Sequence, residues 1–310
     1  MNPNIGIIGT GNMGKAILCG LLASFGPRSA LIVDKDTEKL ASVAAETGAP
    51  AAAGNADLAR RVKYIVLAVK PQFFDGVLAD IKDSLTEDHV VVSIAPGITI
   101  GRLRDALGAH IKVVRAMPNT PALLGAGMSG VCMGDAPPAD TAAPPTPGPL
   151  TVTGEPAPDA SGTPDRQPTA SGPAPAPLAG ILTAQERETV RRIFNSFGKM
   201  VEVEERLMDA VVCVSGSSPA YAYMLIEALA DGGVLYGLPR AQAIEMAAQA
   251  VMGAAMMVLQ THEHPAALKD NVCSPGGTTI AAVAALEEYG FRNSVLKATQ
   301  ACHKRTQELK

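Results

Sequence analysis

The sequence predicts an α/β fold in which an N-terminal doubly wound parallel sheet precedes an all-helical domain. Three observations carry that prediction. Short, continuous apolar runs alternate with helical segments from Ile5 to Cys132. A glycine-rich loop joins the first run to the first helix. From Glu205 onward the chain is long helical stretches in which Ala, Met and Gly dominate.

Residues 4–8 read as a short buried strand. Gly9-Thr10-Gly11-Asn12-Met13-Gly14 follows at once, and Lys15–Leu22 reads as a helix. Strand, GxGxxG and helix in that order form a dinucleotide fingerprint, which a lone GxGxxG is not. Gly9 permits the tight turn, Gly11 lets a pyrophosphate approach the backbone, and Gly14 lets the helix pack on the strand. The alternative is a glycine-rich turn that binds no nucleotide. A second strand, Ala30–Val33, ends at Asp34. An acid there takes the ribose hydroxyls and favours NADH, whereas the adjacent Lys35 can pair with the 2′-phosphate of NADPH. Asp34 can also be read as a cap for the helix at Thr37. Asn55, before the helical stretch 56–61, is either a cap or an adenosine contact.

The alternation then repeats. Tyr64–Val69 is a continuous apolar run, as expected for a strand covered on both faces, and Lys70-Pro71 ends it. His89–Ile94 ends at Ala95-Pro96-Gly97. Lys112–Ala116 ends at Met117-Pro118-Asn119-Thr120-Pro121. Ligands of such sheets lie outside the strands' carboxyl ends, where these loops fall. Lys70 faces either a phosphate or solvent. Gly127–Cys132 reads as one more strand.

The composition then shifts. Asp135–Pro177 holds 13 of the chain's 24 prolines and no aromatic residue. Such a segment buries too little apolar area to offset its ordering entropy, so it reads as a disordered insert over about 135–178. Thr183-Ala-Gln-Glu186 matches a capping box that opens a helix running to Phe197-Gly198, and Lys199–Val203 reads as a closing strand. The expected division is therefore 1–204 for the sheet domain and 205–310 for the helical one. Gly237-Leu238-Pro239 separates two helices. Helices apolar on most faces must be buried, and about a hundred residues cannot bury that surface alone, so the helical region is expected to form a subunit interface. The methionines there read as core or interface filler. His262 and His264 flank Glu263 without a further ligand nearby, so they read as loop residues and no metal site is expected.

Composition excludes several classes. The chain has 310 residues and a formal net charge of −4 without a basic cluster, which argues against a nucleic-acid surface. Its five cysteines are scattered, with no CxxC pair, and fit reduced thiols in the cytoplasm. No targeting segment is expected before the first strand. Charge-free runs in the C-terminal half read as too short to span a bilayer.

A second glycine-rich stretch lies near the other end of the chain, Asn271-Val-Cys-Ser-Pro-Gly-Gly-Thr-Thr279. Gly276 and Gly277 leave the backbone bare, and Thr278 or Thr279 is expected to cap the helix that follows. A helix start of this kind binds small anions, carboxylates included. Taken alone, it also reads as a Gly-rich turn with a capping Thr.

Together, Ile5–Gly14, Ala68-Val69-Lys70-Pro71, Arg115–Pro121, Val214–Tyr221 and Leu268–Thr279 resemble the pyrroline-5-carboxylate reductases, and the segments 214–221 and 268–279 are specific to that family. Only the Pro-rich insert lies outside the resemblance. One departure is Ala95-Pro96-Gly97, where the family usually has two alanines before the glycine. The resemblance implies a Rossmann domain followed by a helical dimerisation domain, with dimers often assembled into decamers. It implies reduction of the cyclic imine 1-pyrroline-5-carboxylate to L-proline by NADPH or NADH, the last step of proline synthesis. It also implies that Ile8–Gly14, Asn55, Ala68–Pro71 and the Ile94-Ala95-Pro96 loop hold the cofactor, that Asn271 reaches it across the dimer, and that Glu205, Thr278 and Thr279 lie at the substrate.

The chemistry agrees with the residues. Hydride passes to the imine carbon, so the protein mainly positions two reactants. The substrate carboxylate is expected on the amides of Gly276–Thr279, and the Thr279 hydroxyl at the imine nitrogen. Ser215 and Ser217 are further substrate candidates, or caps for the helix at Pro219. Two other readings stand beside this one. A 3-hydroxyacid dehydrogenase or another imine reductase would carry a Lys or similar acid/base in the helical domain, which the 274–279 segment lacks. A nucleotide sensor without activity would show an eroded substrate loop.

Overall fold

The structure, a computed structural model, describes residues 4–134 and 180–308, so the expected disorder of the Pro-rich insert lies outside the described residues. The sheet domain runs β1 (Ile5–Ile8), α1 (Asn12–Phe25), β2 (Ala30–Val33), α2 (Thr37–Thr47), α3 (Asn55–Arg61), β3 (Tyr64–Leu67), α4 (Phe74–Lys82), β4 (Val90–Ser93), α5 (Ile100–Leu107), β5 (Lys112–Met117), β6 (Gly127–Cys132), α6 (Ala184–Asn195) and β7 (Gly198–Glu202). The strand order is β2-β1-β3-β4-β5-β6-β7.

Strands β1 to β5 are parallel, with Ile5 opposite both Ala30 and Tyr64. All four residues of β1 are buried, as are all four of β2, β3 and β4. Side chains alternate between two cores. Ile5 and Ile7 join α1 and α6 on one face, while Ile8 joins α3, α4 and α5 on the other. Each fully buried Ile or Leu contributes about 1.5–3 kcal/mol. The doubly wound sheet carries one antiparallel pair at its far edge. β6 is antiparallel to β5, and β7 is parallel to β6. Only the short 3₁₀ turn Thr120–Leu124 joins β5 to β6, and a parallel return needs a crossover of a dozen residues or more.

At the amino edge of the sheet, the expected capping box of α6 is present, and its Glu186 does more than cap. Its buried carboxylate takes Lys63 Nζ at 2.7 Å and Lys112 Nζ at 2.9 Å. Burial pushes this carboxyl up, but the bonds from Lys63, Lys112 and the Thr183 amide outweigh that and hold it at about 2.

The helical region runs α7 (Met208–Val211), a π-helical turn Val212–Gly216, α8 (Ser218–Leu235), α9 (Arg240–Thr261), α10 (Pro265–Asn271), α11 (Thr278–Glu288) and α12 (Phe291–Glu308). α8 and α9 pack as a hairpin around Gly237, whose φ of 95° is the left-handed conformation the turn requires. α9, at 22 residues, is long and apolar enough to cross a membrane by length and composition alone, although it includes Arg240 and Glu245, so its charge-free run stays shorter, as expected. The glutamines and glycine that break the run in sequence are carried inside one continuous helix. Much of the apolar side of this region is exposed in the single chain, including Leu235, Tyr236, Met246, Met252 and Leu259. His262 ends α9 with a left-handed φ, and the His264 ring accepts the Ala266 amide at the start of α10.

Candidate active site

The loops expected to hold the cofactor converge at the carboxyl ends of β1 to β4. Gly9 leaves β1 with φ of 99°, and its amide donates to Val33 O at 2.8 Å. A Cβ on Gly9 would meet Ala68 O at 2.7 Å. A Cβ on Gly14 would collide with the Gly9 carbonyl oxygen and meet Ala68 Cβ at 3.3 Å. Gly9, Gly14 and Ala68 therefore form one close-packed contact, and the glycines are what let α1 seat on the sheet. Gly11 differs. Its Cβ would point into open space, with Lys39 Nζ the nearest atom at 3.8 Å. Gly11 is also the N-cap of α1 and provides no side-chain cap, so the amides of the first turn, Asn12 and Met13 among them, are left for a ligand. Open space over a glycine at the start of a 14-residue helix fits a pyrophosphate.

At the carboxyl end of β2, Asp34 is not the cap of α2. Asp36 fills that place, accepting the Lys39 amide at 3.0 Å. The Asp34 carboxylate instead accepts the Thr10 amide at 2.7 Å, the Thr10 hydroxyl at 2.9 Å and Lys39 Nζ at 3.3 Å. Burial pushes this carboxyl up, and the bonds from Thr10, Asp36 and Lys39 more than reverse it, so its pKa is lowered. Lys35 places its ammonium over the Phe73 ring, 3.3 Å from the centroid. Asn55 is not a cap either. Gly54 holds that position, and Asn55 Nδ2 donates to Asp80 at 2.9 Å.

Val69 is half-buried, and Lys70 and Pro71 are exposed where β3 leads into the 3₁₀ turn Pro71–Phe73. Ile94 and Ala95 are buried, Pro96 is exposed, and Gly97 turns with φ of 77°. Just beyond, Glu205 Oε1 accepts the Ile100 amide at 2.8 Å and Arg115 Nη1 at 3.2 Å. Arg115 is buried in β5 and also faces Asp209, whose Oδ2 accepts from Gln307 of α12 at 2.7 Å. Glu205 thus lies beside the Ile94–Gly97 loop, in a network that ties the sheet to both ends of the helical region.

The loop Ser215–Ser217 comes to the same edge. Gly216 packs on Met117, whose Cε would lie 3.0 Å from a Cβ at that position. Asn119 Nδ2 donates to Ser215 O at 3.0 Å. Neither serine caps α8 with its side chain. Ser215 Oγ donates to Val211 O at 3.2 Å, and Ser217 Oγ lies 3.3 Å from Cys302 Sγ. In sequence, Asn119 stands out only as part of the Met117–Pro121 motif. Its signal was an Asn between two prolines at the end of a strand.

The 271–279 segment is placed elsewhere in the single chain. α10 packs on α9, and α11 on α12. Asn271, Gly276, Thr278 and Thr279 are exposed. The expected threonine cap is replaced. Gly277 holds the N-cap, and α11 begins at Thr278, so neither threonine hydroxyl is spent on capping. Gly276 turns with φ of 66°, and a Cβ on Gly277 would collide with Ser274 Oγ. A cavity of about 530 Å³ lined by Asn4, Arg60, Lys63 and His89 lies at the amino edge of the sheet, opposite the edge where these loops gather.

Comparison with known proteins adds to this geometry. Residues 205–309 match the family model described as pyrroline-5-carboxylate reductase dimerisation, and residues 4–97 match one described as NADP oxidoreductase, coenzyme F420-dependent. A pyrroline-5-carboxylate reductase of Escherichia coli is 43% identical, over 100% of this chain and 99% of its own. The solved structure of a pyrroline-5-carboxylate reductase from Coxiella burnetii superposes with a TM-score of 0.80 at 28% identity, covering 100% of this chain and 99% of that one. A pyrroline carboxylate reductase of Plasmodium falciparum, solved with NADP bound, gives 0.75 at 28% identity, covering 99% and 98%.

Proposed function

The chain belongs to the pyrroline-5-carboxylate reductase family and reduces 1-pyrroline-5-carboxylate to L-proline with a nicotinamide cofactor; we propose that it does so in a cleft built by two protomers. The division falls at Glu204/Glu205, with the cofactor on the sheet domain and the substrate loops on the helical one. The dimers assemble further, to a decamer by family resemblance, and the enzyme is cytoplasmic. The observation that carries the reading is the contrast between two loops. Ser215–Ser217 is fastened to the cofactor edge through Met117 and Asn119. The 271–279 loop is largely exposed, between α10 packed on α9 and α11 packed on α12, as a loop completing a partner's cleft would be.

Bound NAD(P)H supplies the hydride for the imine carbon. Gly9–Gly14 with the Ile8 strand end, Ala68–Pro71 and Ile94–Pro96 shape the bed for the dinucleotide, and Asp34, Lys35 and Asn55 meet its adenosine end. Asn271 reaches the same cofactor from the other protomer. The free amides at the start of α11, with Gly276 and Gly277 keeping the approach bare, hold the substrate carboxylate. Thr278 and Ser217 line that site, Ser215 and Glu205 fix its walls, and the Thr279 hydroxyl bonds the imine nitrogen and supports its protonation. The sheet and the helices thus hold two reactants in line, which is most of what this reaction asks of a protein.

Thr279→Val and Thr279→Ala test the assignment. Losing a hydroxyl that acts on the reacting nitrogen lowers kcat by about 10²-fold or more, with the KM for cofactor unchanged. Wild-type turnover in both variants would remove Thr279 from the mechanism.

A further inference from the structure

Asn119 stands at the N-cap of the 3₁₀ turn Thr120–Leu124, the place where an Asn side chain ordinarily accepts an amide of its own turn. It makes no such bond. The side chain is buried, with 8% exposure, and both of its polar ends point away from the turn. Oδ1 accepts the Met128 amide of β6 at 2.8 Å. Nδ2 donates to the Ser215 carbonyl at 3.0 Å. The two partners are an N–H and a C=O, so only one orientation of the amide satisfies both, and no carboxylate or hydroxyl of the same length can replace it. The bond spans 96 residues of sequence and joins the sheet to the π-helical turn. Beside it, Met117 fills the hollow at Gly216. Pro118 and Pro121 restrict the backbone on either side. A buried, uniquely oriented amide that forgoes its local cap for a distant carbonyl is a seat for that carbonyl.

We infer that Asn119 is a positioning residue for the reduction: through the Ser215 carbonyl it holds the Ser215–Ser217 loop at the cofactor edge, and so governs binding and turnover of the imine rather than binding of the dinucleotide. This inference rests on the reading that the Ser215–Ser217 loop borders the substrate. Asn119 touches neither reactant in this account.

The test compares Asn119→Asp with Asn119→Ala in the full-length oligomer. The aspartate keeps the acceptor for the Met128 amide, loses the donor to Ser215 and sets a carboxylate oxygen against that carbonyl. The alanine loses both. Three quantities are measured: amide hydrogen exchange over residues 212–218, kcat and KM with 1-pyrroline-5-carboxylate, and the Kd for NADPH by fluorescence titration without substrate. The expected result is faster exchange over 212–218 in both variants. A fall of about 10–10²-fold in kcat/KM for the imine accompanies it, as displacement of a positioning loop by about 1 Å produces, and NADPH Kd stays within about twofold. Unchanged exchange in Asn119→Asp overturns the inference, because the loop is then held by something else. A parallel loss of NADPH binding overturns it as well, since the residue would then support the sheet edge as a whole. Faster exchange with unchanged imine kinetics overturns the role in the reaction and places the error in the loop's assignment to the substrate. The exchange and cofactor measurements do not depend on turnover, so they remain readable whatever the substrate.

Discussion

Two glycines three residues apart have different duties, and a single methyl group separates them. At Gly14 the added carbon of Gly14→Ala collides with the Gly9 carbonyl and meets the Gly9 carbonyl carbon at 3.0 Å and Ala68 Cβ at 3.3 Å. The first two are backbone atoms of a loop pinned to Val33 and cannot yield as a flexible side chain would. Overpacking of this kind costs about 1–3 kcal/mol, and the melting temperature falls by roughly 2–4 °C per kcal/mol. At Gly11 the backbone has φ of −64°, which alanine adopts freely, and the methyl meets only Lys39 Nζ at 3.8 Å. Folded stability is expected to change by less than about 0.5 kcal/mol. In the proposed placement of the cofactor, however, the methyl stands where the pyrophosphate meets the helix amides. Loss of two charge-assisted bonds at about 1.5 kcal/mol each weakens cofactor binding by about 10²-fold. Thermal unfolding without cofactor and NADPH titration by fluorescence separate the two effects. Gly11→Ala should melt like wild type and bind weakly. A Gly11→Ala protein that binds NADPH as tightly as wild type would refute the placement of the pyrophosphate, and a Gly14→Ala protein of undiminished stability would refute the packing argument.

Two further predictions concern stability and assembly. The Glu186 carboxyl is held at about 2 against an ordinary 4.5, so its stabilisation is complete above pH 4.5 and is lost as the pH falls through about 2. That difference corresponds to about 3 kcal/mol at neutral pH. Glu186→Gln should therefore be destabilised by about that amount at pH 7 in chemical unfolding, and the gap should close toward pH 2; a gap constant with pH would show that the charge is not its source. Met252 and Met256 lie four residues apart, about half exposed, on α9. Replacing both with Asp should convert the oligomer to monomer in sedimentation and abolish turnover, and a variant that stays assembled would place the dimer contact elsewhere.

Most of the sheet domain was legible because its strands are continuous apolar runs bounded by Gly, Pro or polar residues. β2 and β6 begin and end where the apolar pattern does. The GxGxxG loop was legible for the same local reason. What escaped was non-local. That β6 runs against β5 depends on the short turn between them, not on the composition of either strand. The pairing of Glu186 with Lys63 and Lys112 joins residues far apart in sequence, and only its capping half had a local signature. Thr278 and Thr279 read as caps, yet Gly277 adopts the extended N-cap conformation and frees their hydroxyls. For Asp34 and Asn55 a cap was one of two readings, and Asp36, two residues on, and Gly54, one before, take those places. Shifts of one or two residues of this kind are within the scatter of any helix boundary read from sequence. They decide, all the same, which side chains remain available to a ligand.

The most direct measurement is oxidation of nicotinamide cofactor by the purified oligomer with 1-pyrroline-5-carboxylate, run in parallel with NADPH and NADH. The account predicts turnover with stoichiometric formation of proline, and the ratio of the two rates reports whether Asp34 or Lys35 governs the adenosine end. No turnover with either cofactor, in a protein that is folded and binds the dinucleotide, would contradict it.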